Sequence, residues 1–187
     1  VVVIDHARKP AEKIRISGGG RCNFTNLNVT PKQFLSSNPH FCASALARYT
    51  QADFIALVRR HGIAFHEKTL GQLFCDGSAR EIVAMLRAEC DAGGVDIRVG
   101  ETVTDVTRSD HFEVTTDSGV FSAPTVVLAT GGLSIPKMGA TGFSHDVARR
   151  FGLAVTSTYP ALVPFTVARD AVALHQALAG VSLPAIV

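Results

Sequence analysis

Ser17-Gly18-Gly19-Gly20-Arg21-Cys22-Asn23-Phe24-Thr25-Asn26 is the stretch around which this chain is organised. Three consecutive glycines let the backbone take positive φ and let another molecule come close. Successive backbone N–H groups in such a turn can point into one concavity and bind an anion. Arg21 adds a fixed charge with a planar donor fork suited to phosphate. Cys22 and Asn23 add a soft thiol and a two-sided amide. Three glycines alone would read as a flexible surface loop. Ser17, Asn23, Thr25 and Asn26 around them argue for an ordered one, because short polar side chains bond to nearby backbone. The stretch implies a loop that holds the phosphates and the reactive end of a dinucleotide.

Upstream, Val1-Val2-Val3-Ile4 is a β-branched run with no alternation, the pattern of a parallel strand buried on both faces. Asp5 ends it. A carboxylate there is either a turn residue or an acceptor for a ribose hydroxyl pair, and the glycine loop that follows favours the ribose. No G-x-G-x-x-G precedes Asp5. Gly18 to Asn23 lies on the other side of it and ends in Asn, so it is not that fingerprint. There is no G-K-[ST], which excludes a P-loop.

Downstream, Pro31 to Ser37 and Phe41 to Tyr49 read as short turns or helices. Thr50 caps a helix with Asp53 at the capping-box position, and Gly62 ends it. Ile63 to Glu67 reads as a strand and Gly71 to Gly77 as a turn-rich connector. Cys75 in it is a small core residue, as free Cys often is. Ser78 caps a helix through Ala92, stopped by Gly93-Gly94, and Val95 to Val99 follows as a strand. This strand–helix–strand order is α/β. The period then changes to two. Thr102–Arg108, Phe112–Thr116 and Val120–Ser122 form an antiparallel meander. Thr125 to Ala129 returns to a buried parallel strand and runs into Thr130-Gly131-Gly132. Glycines at the carboxyl end of a parallel strand sit where open α/β sheets bind ligands. A helix runs from the Gly142 region through Phe151, and Arg169 to Leu178 reads as another. Gly180 to Val187 looks like an opening strand.

Length and composition bound the function classes. A chain of 187 residues makes one full domain with a real core. An apolar share of 47% with 18% charged residues fits a compact protein rather than a disordered one. A net charge of +2 is too small to argue for nucleic acid or an anionic membrane. No apolar run approaches the ~20 residues that span a bilayer. Cys22, Cys42, Cys75 and Cys90 form no CxxC pair, so neither zinc nor a redox dithiol is indicated. Reduced thiols in a cytoplasm are the expectation. His40, His61 and His66 read as surface or helix-end residues rather than a metal site. His145 reads as a solvent-facing residue in a first helical turn, although acid/base work is open to it.

Lys13 to Asn26 resembles the signature of a family of NAD(P)/FAD-dependent oxidoreductases that includes aminoacetone oxidases and bile-acid reductases. Leu128-Ala129-Thr130-Gly131-Gly132-Leu133-Ser134-Ile135-Pro136-Lys137 and Tyr159-Pro160-Ala161-Leu162-Val163-Pro164-Phe165 resemble the same family, in the same order. The resemblance implies an incomplete Rossmann-like FAD-binding domain, a parallel sheet with an antiparallel β-meander crossover. Relative to the family, the first strand and its phosphate-binding turn are missing. Residues 1–163 would be the partial FAD domain, and 164–187 the start of an inserted substrate-side domain.

The resemblance also implies roles for residues. Asp5 would hold the adenosine ribose. Ser17, Gly18, Gly19, Gly20 and Arg21 would line the pyrophosphate and flavin side, with Lys13 in the same cofactor-binding set. Cys22 and Asn23 would lie near the isoalloxazine; Cys22 is open to a reactive role beside Arg21 or a packing role, and packing is favoured. Val103 would meet the adenine through its backbone. Ala129, Thr130, Gly131 and Gly132 would close the cleft. Phe143 and Ser144 depart from the family pattern, which has a small or acidic residue and a second glycine there. The implied activity is hydride transfer between NAD(P)H and a small organic substrate through FAD; amine oxidation by O₂ is also compatible. No catalytic residue is assigned, and no nucleic-acid or membrane partner is expected. Two alternatives stand beside this: a flavoprotein acting on tRNA, against which the weak charge counts, and a non-catalytic nucleotide-binding module. In the dinucleotide-binding strand order, Val1–Ile4 should pair with Val95–Val99 and not with Thr125–Ala129.

Overall fold

The computed structural model describes residues 1–136, 139–160 and 166–181. The chain divides into two compact units, Val1–Val147 and Ala148–Val187. The first unit opens with β1 (Val2–Asp5), α1 (Glu12–Ile16), a tight turn at Ser17–Gly20 and β2 (Asn23–Asn26). Helices α2 (Ala43–Arg48) and α3 (Gln51–Arg60) follow, then strands β3 (Phe65–Glu67) and β4 (Gln72–Cys75) and helix α4 (Ala79–Ala92). Strands β5 (Asp96–Val99), β6 (Val103–Arg108), β7 (Phe112–Thr116) and β8 (Val120–Ala123) come next. Helix α5 (Phe143–Arg150) runs across the division, and the second unit holds α6 (Val172–Ala177).

Among the described residues three sheets result, ordered β1-β5, β2-β4-β3 and β6-β7-β8. Strands β1 and β5 pair in parallel, Val2 opposite Asp96 through Asp5 opposite Val99, as the strand order requires. The two hairpins of the meander close where alternation and turn residues place them. The caps behave as read. The Thr50 hydroxyl accepts the Asp53 N–H, Ser78 accepts the Arg80 N–H, and Asp53 and Glu81 each reach back to the cap backbone.

Three expectations are corrected. Thr125–Ala129 is not a strand: no ladder joins it to another strand among the described residues, and Val127 is 85% exposed. An extended run becomes a strand only by pairing its N–H and C=O groups. For the same reason β1 is not buried on both faces; Val2 and Val3 are exposed, with no layer over them among the described residues. Third, the connector at Gly71 to Gly77 contains the central strand of the second sheet. β4 pairs with β2 on one side and β3 on the other, and Leu73, Phe74 and Cys75 are buried. The glycines at its ends mark its boundaries. The expected opening strand at Gly180 to Val187 falls on residues 182–187, outside the described residues, as does most of the block from Tyr159 to Phe165.

The core lies between this sheet and helices α1, α3 and α4. Cys22, Val58, Ile63, Cys75, Ala79, Ile82 and Met85 form it, with Phe24, Phe54 and Phe65 packed alongside. Phe24 meets Phe65 edge-on at 5.3 Å, the favoured aromatic geometry. The meander is anchored separately. The Glu101 N–H donates to the Asp5 carbonyl at 3.2 Å. Its buried carboxylate accepts the Thr116 hydroxyl at 2.6 Å and the Ser118 hydroxyl. A buried charge is tolerated when hydrogen-bonded in this way.

Candidate functional site

The glycine turn is built by its φ angles. Gly18, Gly19 and Gly20 sit at +57°, +65° and +86°, a run of left-handed residues that other side chains resist. The Cys22 N–H donates to the Ser17 carbonyl at 3.0 Å, and the Cys75 N–H to the Arg21 carbonyl at 2.9 Å. The turn is therefore stapled to β4. Its glycines differ in what they meet. A Cβ on Gly18 would lie 2.7 Å from the Phe74 ring and 2.8 Å from the Asn23 backbone nitrogen, whereas one on Gly19 would meet nothing within 4 Å. Gly18 is glycine for packing, and Gly19 faces open space.

Helix α1 brings the second glycine loop to the first. Lys13 Nζ donates to Ser134 Oγ at 3.1 Å, across 121 positions of sequence. The same Nζ lies 3.9 Å from where a Cβ on Gly131 would stand. Gly131 itself has φ +78°. Thr130 Oγ1 and Ser144 Oγ are hydrogen-bonded at 2.5 Å, tying the loop to the first turn of α5. His6 lies against Gly139, its Nε2 occupying the space a Cβ there would need. Lys13, Ser17, Cys22 and Asn23 line a cleft of about 300 Å³ whose other walls are Ile14, Phe24, Phe54, Ile82 and Leu86.

The expected residues fall into three places. Lys13, Ser17, Gly18, Gly19, Gly20, Arg21, Cys22 and Asn23 gather at the glycine turn, and Ala129, Thr130, Gly131 and Gly132 lie on the exposed loop that meets Lys13. Asp5 stands apart at the end of β1. Its Oδ1 accepts the Ala7 N–H at 2.9 Å, and its carbonyl leads through Glu101 toward Val103 at the start of β6. The Ser17 hydroxyl donates to the Ile14 carbonyl at 2.9 Å, closing the end of α1. Arg21 is exposed and forms no side-chain ion pair or hydrogen bond among the described residues. Cys22 is 5% exposed with φ +51° and belongs to the core. Burial, with Cys22 and Glu81 nearby, pushes the Cys75 thiol up to about 11.

Two groupings escaped the sequence reading. One is Glu101 with Thr116 and Ser118, whose hydrogen bonds hold the Glu101 carboxyl below its ordinary range. The other is a His66–Asp76 pair at 2.6 Å, visible only once β4 is recognised and paired with β3. Among the described residues no group of three or more His, Cys, Asp or Glu could hold a metal ion, and no helix is long and apolar enough to cross a membrane.

The family model described as the HI0933-like protein Rossmann domain matches residues 1–186. The chain belongs to that family. The HI0933-like Rossmann domains lie among the FAD-binding oxidoreductases, and the α/β architecture with its parallel pair and meander crossover is theirs. The chain is 51% identical over 188 residues to a ribosomal RNA dihydrouridine synthase of Escherichia coli (strain K12), covering 100% of this chain and 47% of that protein. It is 48% identical over 189 residues to the protein of that name in Haemophilus influenzae (strain ATCC 51907 / DSM 11121 / KW20 / Rd), covering 98% and 47%. It is 25% identical over 169 residues to a 3-dehydro-bile acid delta(4,6)-reductase of Clostridium scindens (strain ATCC 35704 / DSM 5676 / VPI 13733 / 19), covering 89% and 41%. The chain thus spans about half the length of the curated relatives it matches.

Proposed function

We propose that this chain is the FAD-binding part of a flavoenzyme that takes a hydride from NAD(P)H and reduces a uridine base in ribosomal RNA. The observation that carries the reading is the 51% identity along the whole chain to a ribosomal RNA dihydrouridine synthase. Dihydrouridine is uridine with hydrogen added across the C5=C6 bond, a reduction that flavin performs. The small net charge favours a small substrate, but sequence identity at this level outweighs it.

The residues fit FAD. Gly19 offers backbone with open space where a side chain would otherwise stand, and Gly131 offers backbone beside the Lys13 ammonium. Lys13 and Arg21 put two cations beside the glycine turn, suited to a pyrophosphate. The apolar walls of the cleft suit a planar ring system. Asp5 uses one carboxylate oxygen on the Ala7 N–H, and the other is available to ribose hydroxyls. FAD would supply the redox chemistry; the chain supplies position, counter-charge and shelter from water.

A second reading keeps a small organic substrate. The similarity to the bile-acid reductase favours it, at 25% identity. One experiment decides. The full-length protein is purified, loaded with FAD, and bleached with NADH or NADPH without oxygen. Unmodified ribosomal RNA is then added. Return of the flavin colour together with dihydrouridine in the RNA is expected. A colourless protein that FAD does not reconstitute would overturn the flavoenzyme. Reoxidation by a small conjugated enone but not by RNA would establish the second reading.

A further inference from the structure

We infer that His66, oriented by Asp76, is the proton donor to the substrate, an inference that rests on the uridine-reducing reading above. His66 Nδ1 and Asp76 Oδ1 lie 2.6 Å apart, and both side chains are solvent-accessible. The Asp76 backbone is tied down: its N–H donates to the Ala64 carbonyl at 2.9 Å, and α4 is capped two residues later. A carboxylate on one ring nitrogen fixes the tautomer and aims the other nitrogen outward.

The pair sits beside the glycine turn. The His66 ring stacks on Phe74 at 6.3 Å with an interplanar angle of 20°. The edge of that same Phe74 packs on Gly18. Register puts Asn23 opposite Phe74, and Phe74 opposite His66, across the sheet. Directly opposed residues share a face, so Asn23, Phe74 and His66 form one row. Two strand spacings, about 10 Å, separate its ends. One end, Asn23, reaches the edge of the cleft proposed for FAD; the other carries an imidazole held by a carboxylate, on the sheet face opposite Phe65 and Cys75, which pack on the core. Lys68 Nζ also lies over the Phe74 ring, at 5.2 Å; Asp76 faces His66 directly, and Glu67 follows it on the same strand.

The reaction needs such a group. FAD, when bound and reduced, would supply the hydride that C6 of the uracil receives. The C5=C6 electron pair moves to C5 as an enolate conjugated with the C4 carbonyl. A proton must then reach C5. In the imidazolium form, His66 holds Asp76 through Nδ1–H and gives up Nε2–H; the neutral ring keeps Nδ1–H on Asp76 and is reprotonated from water. NAD(P)H would be the reductant that restores the hydride to the flavin.

The test uses full-length FAD-loaded protein with H66Q and D76N. Both variants should keep bound FAD and its bleaching by NAD(P)H. In H66Q the anaerobic reoxidation of flavin by uridine-containing RNA should slow roughly 100-fold, the ordinary contribution of a positioned acid. D76N should slow it less. A readout independent of turnover is the nitrogen-15 spectrum of the imidazole. It should show an Nδ1–H lost in D76N, and an Nε2 signal that moves when uridine 5′-monophosphate is added. H66Q reoxidised at the wild-type rate, or an Nε2 signal indifferent to the nucleotide, would leave only a surface ion pair and overturn the inference. A wild-type protein that accepts electrons from NAD(P)H and reduces no uridine would overturn instead the reading on which it rests.

Discussion

Gly18 and Gly19 are adjacent, both left-handed, and should respond differently to one methyl group. Alanine at either position incurs the left-handed penalty, about 1–2 kcal/mol. At Gly19 that is the whole cost, because nothing lies within 4 Å. At Gly18 the new Cβ would sit 2.7 Å from the Phe74 ring and 2.8 Å from the Asn23 nitrogen. Phe74 is buried and the nitrogen is backbone, so neither yields easily. Overpacking of this kind adds about 1–3 kcal/mol. Gly18→Ala should therefore destabilise by about 2–5 kcal/mol, and Gly19→Ala by about 1–2 kcal/mol. With a urea slope near 2 kcal/mol per molar, the two midpoints should differ by about 1 M. Equilibrium urea unfolding followed by far-UV circular dichroism reads this directly. Equal midpoints would refute the claim that Gly18 packs on β4 while Gly19 faces open space.

Other outcomes follow from the same structure. Ile82, 1% exposed at the centre of the core, should lose about 2–5 kcal/mol as Ile82→Ala, read by the same unfolding curve. Cys75, with its thiol pushed up to about 11, should resist iodoacetamide in the native protein while the partly exposed Cys42 and Cys90 react; mass spectrometry of the labelled peptides checks it. Glu101 has its carboxyl held low by Ser118 and Thr116. A lowered native value contributes stability that is full above the unfolded value, about 4.5, and is lost as pH falls through the native one. Glu101→Gln should therefore flatten the fall in Tm below that pH, and an unchanged acid slope would contradict the assignment.

Much of this fold was legible because its signals are local. Alternation with Ser109-Asp110 and Asp117-Ser118-Gly119 located the meander, and Thr50 and Ser78 located two helix starts. The parallel pairing of Val1–Ile4 with Val95–Val99 followed from strand order. β4 was hidden because Leu73-Phe74-Cys75 is buried without alternation and bracketed by glycines. Thr125–Ala129 failed in the opposite direction. Its β-branched pattern is that of a strand, but pairing is a property of neighbours and not of the run itself. At the site, the resemblance nominated both glycine loops, yet their meeting at Lys13 and Ser134 is long-range and has no sequence signature. Nor could three identical letters show that Gly18 packs while Gly19 faces space. The His66–Asp76 pair depends on the β3–β4 register, so it stayed invisible while β4 did.

In the proposed function, the turn at Gly19 and the loop at Gly131 form one FAD cradle. The most direct measurement is a FAD titration of the full-length apoprotein by flavin fluorescence, comparing wild type with Gly19→Val and Gly131→Val. The side chain at Gly19 would enter open space and that at Gly131 would meet the Lys13 ammonium, and a β-branched residue at positive φ is also strained. Each variant should lose at least tenfold in FAD affinity, about 1.4 kcal/mol, with its far-UV spectrum unchanged. Wild-type FAD affinity in both folded variants would contradict it.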